Sequence, residues 1–254
     1  MISDLRAKVL GVIPARLDST RLPRKMLADI GGNPLIYHTW KRAMAAKCLG
    51  ELVVATDSLE IERVVKAFGG SAVMTSPDCR SGSDRVAEAA LLFPRADIVV
   101  NIQGDEPLLP REAIDAAVDI LTRDTSAHMA TVAVPCTDEE DIENPTNVKV
   151  TIDIAGNALY FSRARIPYPR HQASYLKHIG LYAFRRDFLL AFPSLAQTPL
   201  ERAESLEQLR VLEHGYKIKV AIGDFISIGV DTQADLERVT DIMGGRQPAN
   251  PHIL

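Results

Sequence analysis

The sequence predicts an α/β fold with a mixed, mostly parallel sheet and helices on both faces. Two observations carry this. In the first half, short apolar runs alternate with helical patterns, as in βα units whose strands are buried on both sides. After about residue 124 the runs follow one another with few helices between, which predicts an antiparallel extension of the same sheet. A third observation locates a site. A loop holding Arg16, Arg21, Arg24 and Lys25 against one acid, Asp18, follows the first strand directly, in a chain whose net charge is −4. Open α/β sheets bind ligands beyond the carboxyl ends of their strands.

The elements read in order as follows. Residues 9–13 are a buried strand. Asn33-Pro34 opens a helix to about residue 47, Asn as cap and Pro in the first turn. Residues 51–56 form the second strand. Asp57 or Ser58 caps a helix that stops at Gly69-Gly70. Residues 72–74 are a short strand. Residues 83–93 read as a helix with Val86, Ala89, Ala90 and Phe93 on one face. Residues 98–102 are the fourth strand, followed by Gln103-Gly104-Asp105-Glu106-Pro107. Strands are expected at 129–134, 148–154, 158–161 and 178–184, then a helix at 200–213 and a strand at 217–222. The last helix spans 232–243, capped by Asp231 or Thr232 and closed by Gly244-Gly245. The tail from 246 to 254 is rich in Pro and Asn and is expected to fray.

The 254 residues, with 46% hydrophobic and 24% charged, fit one large globular domain, and 1–254 is read as one. The net acidity argues against a nucleic-acid binder. Three cysteines, widely spaced and without a CxxC, fit a reducing compartment. No apolar run is long enough to span a membrane and the charged N-terminus lacks a signal-peptide core, so a soluble cytoplasmic protein is expected. The chain has no GxGxxG, no P-loop, no HExxH or Cys/His cluster and no GxSxG.

The basic loop asks for an anion, and a triphosphate suits its Arg and Lys donors; a solvated turn is the plain alternative. Asp105 follows the fourth strand, which can lie beside the first and so face Arg16 across a crevice. A carboxylate beside a triphosphate is best reconciled by Mg²⁺, which takes one or two carboxylates plus phosphates and waters. Glu106 competes for that role, and Asp105 could be a turn residue only. Asp231 could be a second ligand or a helix cap. Ser81-Gly82-Ser83-Asp84-Arg85 enters a helix and could bond a base or ribose, or only cap. His178 starts a strand. Glu207 and Gln208 lie opposite Leu206, Leu209 and Leu212 and could face a polar cleft or water.

Taken together, the chain resembles the 3-deoxy-manno-octulosonate (KDO) cytidylyltransferase family. The resemblance rests on Ile13-Pro14-Ala15-Arg16, Ser19-Thr20-Arg21-Leu22-Pro23, Ala55-Thr56-Asp57, Ser81-Gly82-Ser83-Asp84-Arg85 and Asn101-Ile102-Gln103-Gly104-Asp105-Glu106-Pro107. It continues through Ala158-Leu159-Tyr160-Phe161-Ser162-Arg163, His178-Ile179-Gly180-Leu181-Tyr182, Leu206-Glu207-Gln208-Leu209-Arg210 and Gly229-Val230-Asp231-Thr232. The fifth and eighth of these segments together are the most specific. The resemblance implies a Rossmann-like nucleotidyltransferase fold, a homodimer, and sugar binding and dimerisation through 125–215. It implies that CTP and KDO become CMP-KDO and pyrophosphate for lipopolysaccharide biosynthesis. Arg16, Arg21 and Lys25 would bind phosphate or stabilise charge, and Asp105 and Asp231 would hold Mg²⁺. Ala15, Ser81, Gly82 and Arg85 would lie by the nucleotide, and Gln103, Arg163, His178, Tyr182, Glu207 and Gln208 by the sugar acid. No side-chain general base stands out. The chain departs from the family pattern at Arg24 and Met26, where Gly and Pro are common, at Ser227-Ile228, and in a shorter stretch over 167–177. An 8-amino analogue of KDO or an acylneuraminate is the alternative substrate. A noncatalytic nucleotide-binding protein is the alternative of another class.

Overall fold

The structure, a computed structural model, describes residues 8–245. The tail from 246 and all but the last of the eight N-terminal residues lie outside them. Nine strands form one sheet: β1 (Val9–Ala15), β2 (Glu51–Thr56), β3 (Ser71–Met74), β4 (Ile98–Asn101), β5 (Met129–Cys136), β6 (Lys149–Ile152), β7 (Ala158–Ser162), β8 (Tyr175–Arg185) and β9 (Ile218–Ile222). The main row runs β9-β5-β8-β4-β1-β2-β3, and β6 joins β8 and carries β7. β1 is central and pairs in parallel with β2 and β4. β8 runs antiparallel between β4 and β5, which makes the sheet mixed.

Strand alternation sends successive side chains to opposite faces. Ile13, Val54, Val100 and Ile102 enter one core with α1 (Leu35–Ala43), α2 (Leu59–Ala67), α4 (Arg111–Arg123) and α9 (Gln233–Met243). Leu10, Val12, Val53, Ala55 and Val99 enter the other. There they meet Val86, Ala89 and Ala90 of α3 (Gly82–Ala90) and Phe184, Phe188 and Phe192 around α6 (Arg186–Ala191).

Four local readings change. Asn33 does not cap a helix. Asn33–Pro34 pairs with Asp29–Ile30 in a hairpin turned by Gly31 and Gly32, whose φ values of 61° and 87° suit glycine. Helix α1 therefore starts at Leu35 and ends at Ala43. Residues 111–123, not expected to be helical, form α4, which buries Ala113, Ile114, Ala117, Val118 and Leu121. The helix expected over 200–213 is two, α7 (Pro199–Glu204) and α8 (Gln208–Glu213), broken where Ser205 adopts φ 53°. A short helix, α5 (Glu139–Glu143), also separates β5 from β6.

Candidate active site

The adjacent ends of β1 and β4 set the geometry. Beyond β4 the chain turns at Gly104, whose carbonyl accepts from Thr39 Oγ1 at 2.9 Å. A Cβ at Gly104 would lie 3.0 Å from Met26 Sδ and 3.1 Å from the Pro14 carbonyl, so glycine allows this close approach. The next carbonyl, of Asp105, accepts from Val230 N at 2.9 Å and brings in the segment before α9.

These contacts gather one charged group. Lys25 Nζ donates to Asp105 Oδ2 at 2.6 Å and to Asp231 Oδ1 at 3.0 Å. Arg21 Nη1 lies 2.9 Å from Asp231 Oδ2. The Lys25 side chain is 9% exposed, against 28% for Asp105 and 42% for Asp231, so the lysine sits beneath and the acids face outward. Burial alone would pull the Lys25 pKa down, but the two carboxylates outweigh it and raise it. Asp231 is not the cap of α9: Thr232 is, in a capping box with Asp235. Glu106 does not share the pair. It accepts from Ser227 Oγ at 2.6 Å, and burial pushes its carboxyl up to about 7. Among the described residues no group of three or more His, Cys, Asp or Glu could hold a metal. Two carboxylates on one point suit a hard cation that completes its shell with oxygens from outside the protein.

A second polar group lies where α3, β4, β8 and α8 meet. Glu207 accepts from Ser81 Oγ at 2.9 Å and Ser83 Oγ at 2.8 Å, and burial raises its pKa. Asn101 reaches Ser83 and is reached by Gln103, each at 3.4 Å. Tyr182 pairs across the sheet with Asn101, and its hydroxyl donates to Gln208 Oε1 at 3.2 Å. Burial raises the Tyr182 pKa, so the phenol stays protonated. Gln208 is buried, and its Nε2 has no partner among the described residues. His178 lies 5.5 Å from Tyr182, ring to ring, and burial lowers its pKa to about 3. Thr131 fixes its tautomer. The single Thr131 proton goes to the Leu181 carbonyl at 2.7 Å, so Oγ1 accepts from His178 Nε2–H at 2.9 Å and leaves Nδ1 as an acceptor. The same threonine satisfies the bulge at Gly180 and Leu181, between registers Ile179/Val132 and Tyr182/Thr131. Gly180 joins the two groups, since a Cβ there would touch Gln103 Cγ and Glu106 Oε1, each at 3.6 Å.

The remaining candidates fall elsewhere. Ala15 is buried at the end of β1, opposite Thr56. Arg16 Nη2 donates to the Cys79 carbonyl and lines a cleft with Leu17, Asp18, Asp57, Ser58 and Pro77. Gly82 packs at the edge of Pro14. Arg85 is fully buried, donating to Asp57 Oδ2 at 2.6 Å and Thr75 Oγ1 at 2.5 Å, with its Nε unpartnered among the described residues. In this position it braces the segments that carry Asp57 and Thr75. Arg163 lies on the antiparallel extension, bonded through Nε to the Glu204 carbonyl at 2.8 Å and through Nη1 to the Pro145 carbonyl at 3.2 Å. Arg24 pairs with Glu60. Sequence reasoning missed Thr131, Asn101 and Thr39. Asn101 sits within a segment already singled out, whereas nothing around Thr39 or Thr131 sets it apart from an ordinary helix or strand threonine.

Known proteins resemble this chain in sequence and fold. The cytidylyltransferase family profile matches residues 10–218. The 3-deoxy-manno-octulosonate cytidylyltransferase of Protochlamydia amoebophila is 44% identical, covering 94% of this chain and 95% of the relative. That of Syntrophobacter fumaroxidans is 48% identical, covering 93% and 97%. The chain belongs to the 3-deoxy-manno-octulosonate cytidylyltransferase family. It is a nucleotidyltransferase with the family's α/β fold. A solved structure of CMP:2-keto-3-deoxy-manno-octonic acid synthetase complexed with CTP superposes with a TM-score of 0.90 at 41% identity, covering 94% of this chain and all of that one.

Proposed function

We propose that this cytidylyltransferase joins CTP and KDO, giving CMP-KDO and pyrophosphate for lipopolysaccharide biosynthesis. The observation that carries the reading is the Lys25–Asp105–Asp231 group gathered beyond the ends of β1 and β4, in a fold that overlays a synthetase complexed with CTP. The anomeric hydroxyl of the sugar acid attacks the α-phosphorus; its bond to phosphorus forms as the bond to the bridging oxygen of pyrophosphate breaks. Charge builds on that leaving group, and Arg16, Arg21 and Lys25 are the cations to stabilise it. Asp105 and Asp231 are the residues to hold Mg²⁺, which supplies charge neutralisation at the phosphates and lowers the pKa of the attacking hydroxyl. No side chain is assigned as general base.

The second polar group suits a hydroxylated acid. Gln208 Nε2 is a buried donor with no partner among the described residues, and such a group rewards a ligand that pairs it and penalises one that does not. His178 Nδ1 and Glu207 are acceptors for hydroxyl groups, and Gln103 and Tyr182 complete the polar lining. Ser81 and Gly82, close to Pro14, are candidates for the cytidine side. We further propose a homodimer in the cytoplasm. No described helix is long and apolar enough to cross a membrane.

The test is a matrix of CTP, ATP and GTP against KDO, 8-amino-8-deoxy-KDO, N-acetylneuraminate and glucose 1-phosphate, read by pyrophosphate release. CTP with KDO should dominate. Strong turnover of the sugar phosphate with neither octulosonate would overturn the assignment.

A further inference from the structure

The Asp105–Asp231 pair already holds a cation of the protein's own. Lys25 Nζ hydrogen-bonds both carboxylates, at 2.6 and 3.0 Å, from beneath. Arg21 takes the other oxygen of Asp231 at 2.9 Å. Two ammonium or guanidinium charges therefore cancel two carboxylate charges, and a divalent cation approaching the pair meets no net attraction. It also meets the Lys25 ammonium at the point where both carboxylates converge. Lys25 is equipped to leave. It stands on a single turn of 3₁₀ helix, Lys25–Leu27, on a loop whose Arg21, Pro23 and Arg24 are exposed, and its four-carbon stem is flexible. A triphosphate offers its ammonium more negative charge in total than the two carboxylates do.

We propose that Lys25 is an exchangeable counter-cation: it occupies the Asp105–Asp231 pair until the nucleotide's phosphates draw it away, and so keeps the pair closed to divalent cations without nucleotide. The inference rests on the cytidylyltransferase reading and adds an order to it, in which the metal enters with the nucleotide or after it.

The experiment is Mn²⁺ binding to the full chain without nucleotide, read by the electron paramagnetic resonance of free Mn²⁺. Wild type and Lys25→Arg, which keeps the charge, should bind weakly. Lys25→Met should bind at least about tenfold more tightly, because a like charge a few ångströms away has been removed. Lys25→Gln should do the same, and serves if the methionine variant fails to fold. Adding Asp105→Asn to either neutral variant should erase the gain. Unchanged or weaker binding by both neutral variants overturns the proposal, as does a gain that survives Asp105→Asn. Pyrophosphate release by wild type tests the cytidylyltransferase reading separately and is not touched by either result.

Discussion

Asp105 and Asp231 bring two like charges to one point from distant parts of the chain, and Lys25 is what makes that tolerable. Replacing either acid by Asn keeps its volume and removes its charge. Asp105→Asn and Asp231→Asn should each lower kcat/KM by roughly 100-fold or more, in the range of one lost electrostatic contact to a transition state, with the circular-dichroism spectrum unchanged. Near-normal activity in either variant would remove that residue from the machinery. The basic loop should not behave uniformly. Arg16 lines the cleft, whereas Arg24 turns away to Glu60 in an exposed pair. Arg16→Ala should cost far more activity than Arg24→Ala; a loss of ~3 kcal/mol in transition-state stabilisation is roughly 150-fold. Arg24 has φ 57°, a left-handed conformation that favours glycine. Relieving a left-handed residue is worth ~1–2 kcal/mol and an exposed ion pair ~0–1 kcal/mol. Arg24→Gly should thus keep or raise the melting temperature, and a fall would contradict the strain. His178 carries the pH prediction. Burial lowers its pKa to about 3, below the ordinary 6.5, so the unfolded chain binds more protons between those values. Its contribution is fully present above pH 6.5 and is lost as pH falls toward 3. Heteronuclear NMR should find His178 neutral, with the proton on Nε2, from pH 8 down to 5; titration near 6.5 would contradict this.

At the scale of elements, one close approach orders the site. The turn after β4 lies against Pro14 and Met26 through Gly104. A Cβ there is tighter than ordinary packing, so Gly104→Ala should cost ~1–3 kcal/mol by overpacking. It should also displace Asp105 and lower kcat, as checked by denaturant unfolding and steady-state kinetics; an alanine variant of wild-type stability and rate would contradict the constraint. Most elements were legible because their apolar periods are strong, as in β1, β2 and α2. The exceptions have local causes. The sequence around Asn33 offered a cap, but Gly31-Gly32 turns a hairpin first, and a pairing partner outranks a capping preference. Helix α4 is legible in the apolar spacing of Ala113, Ile114, Ala117, Val118 and Leu121. The break between α7 and α8 was not legible, since Ser205 is not a residue that favours a positive φ.

For the whole molecule, the order β4-β1-β2 turns three separated segments into one rim, and α9 delivers Asp231 to it. That β1 and β4 could be neighbours followed from the α/β pattern. That Lys25 would bridge the acids did not, because the bridge depends on how the loop folds back across the rim. Arg85 shows the same limit: whether a charge faces a ligand or is buried depends on a partner, and Asp57 lies on another element. The central claim is that this rim transfers a cytidylyl group to a sugar acid. It is tested most directly by ³¹P NMR of CTP and KDO turned over with Mg²⁺. The account predicts a new phosphodiester resonance from CMP-KDO growing in equal amount with pyrophosphate. Formation of CDP with inorganic phosphate or a phosphorylated sugar, and no phosphodiester, would contradict it.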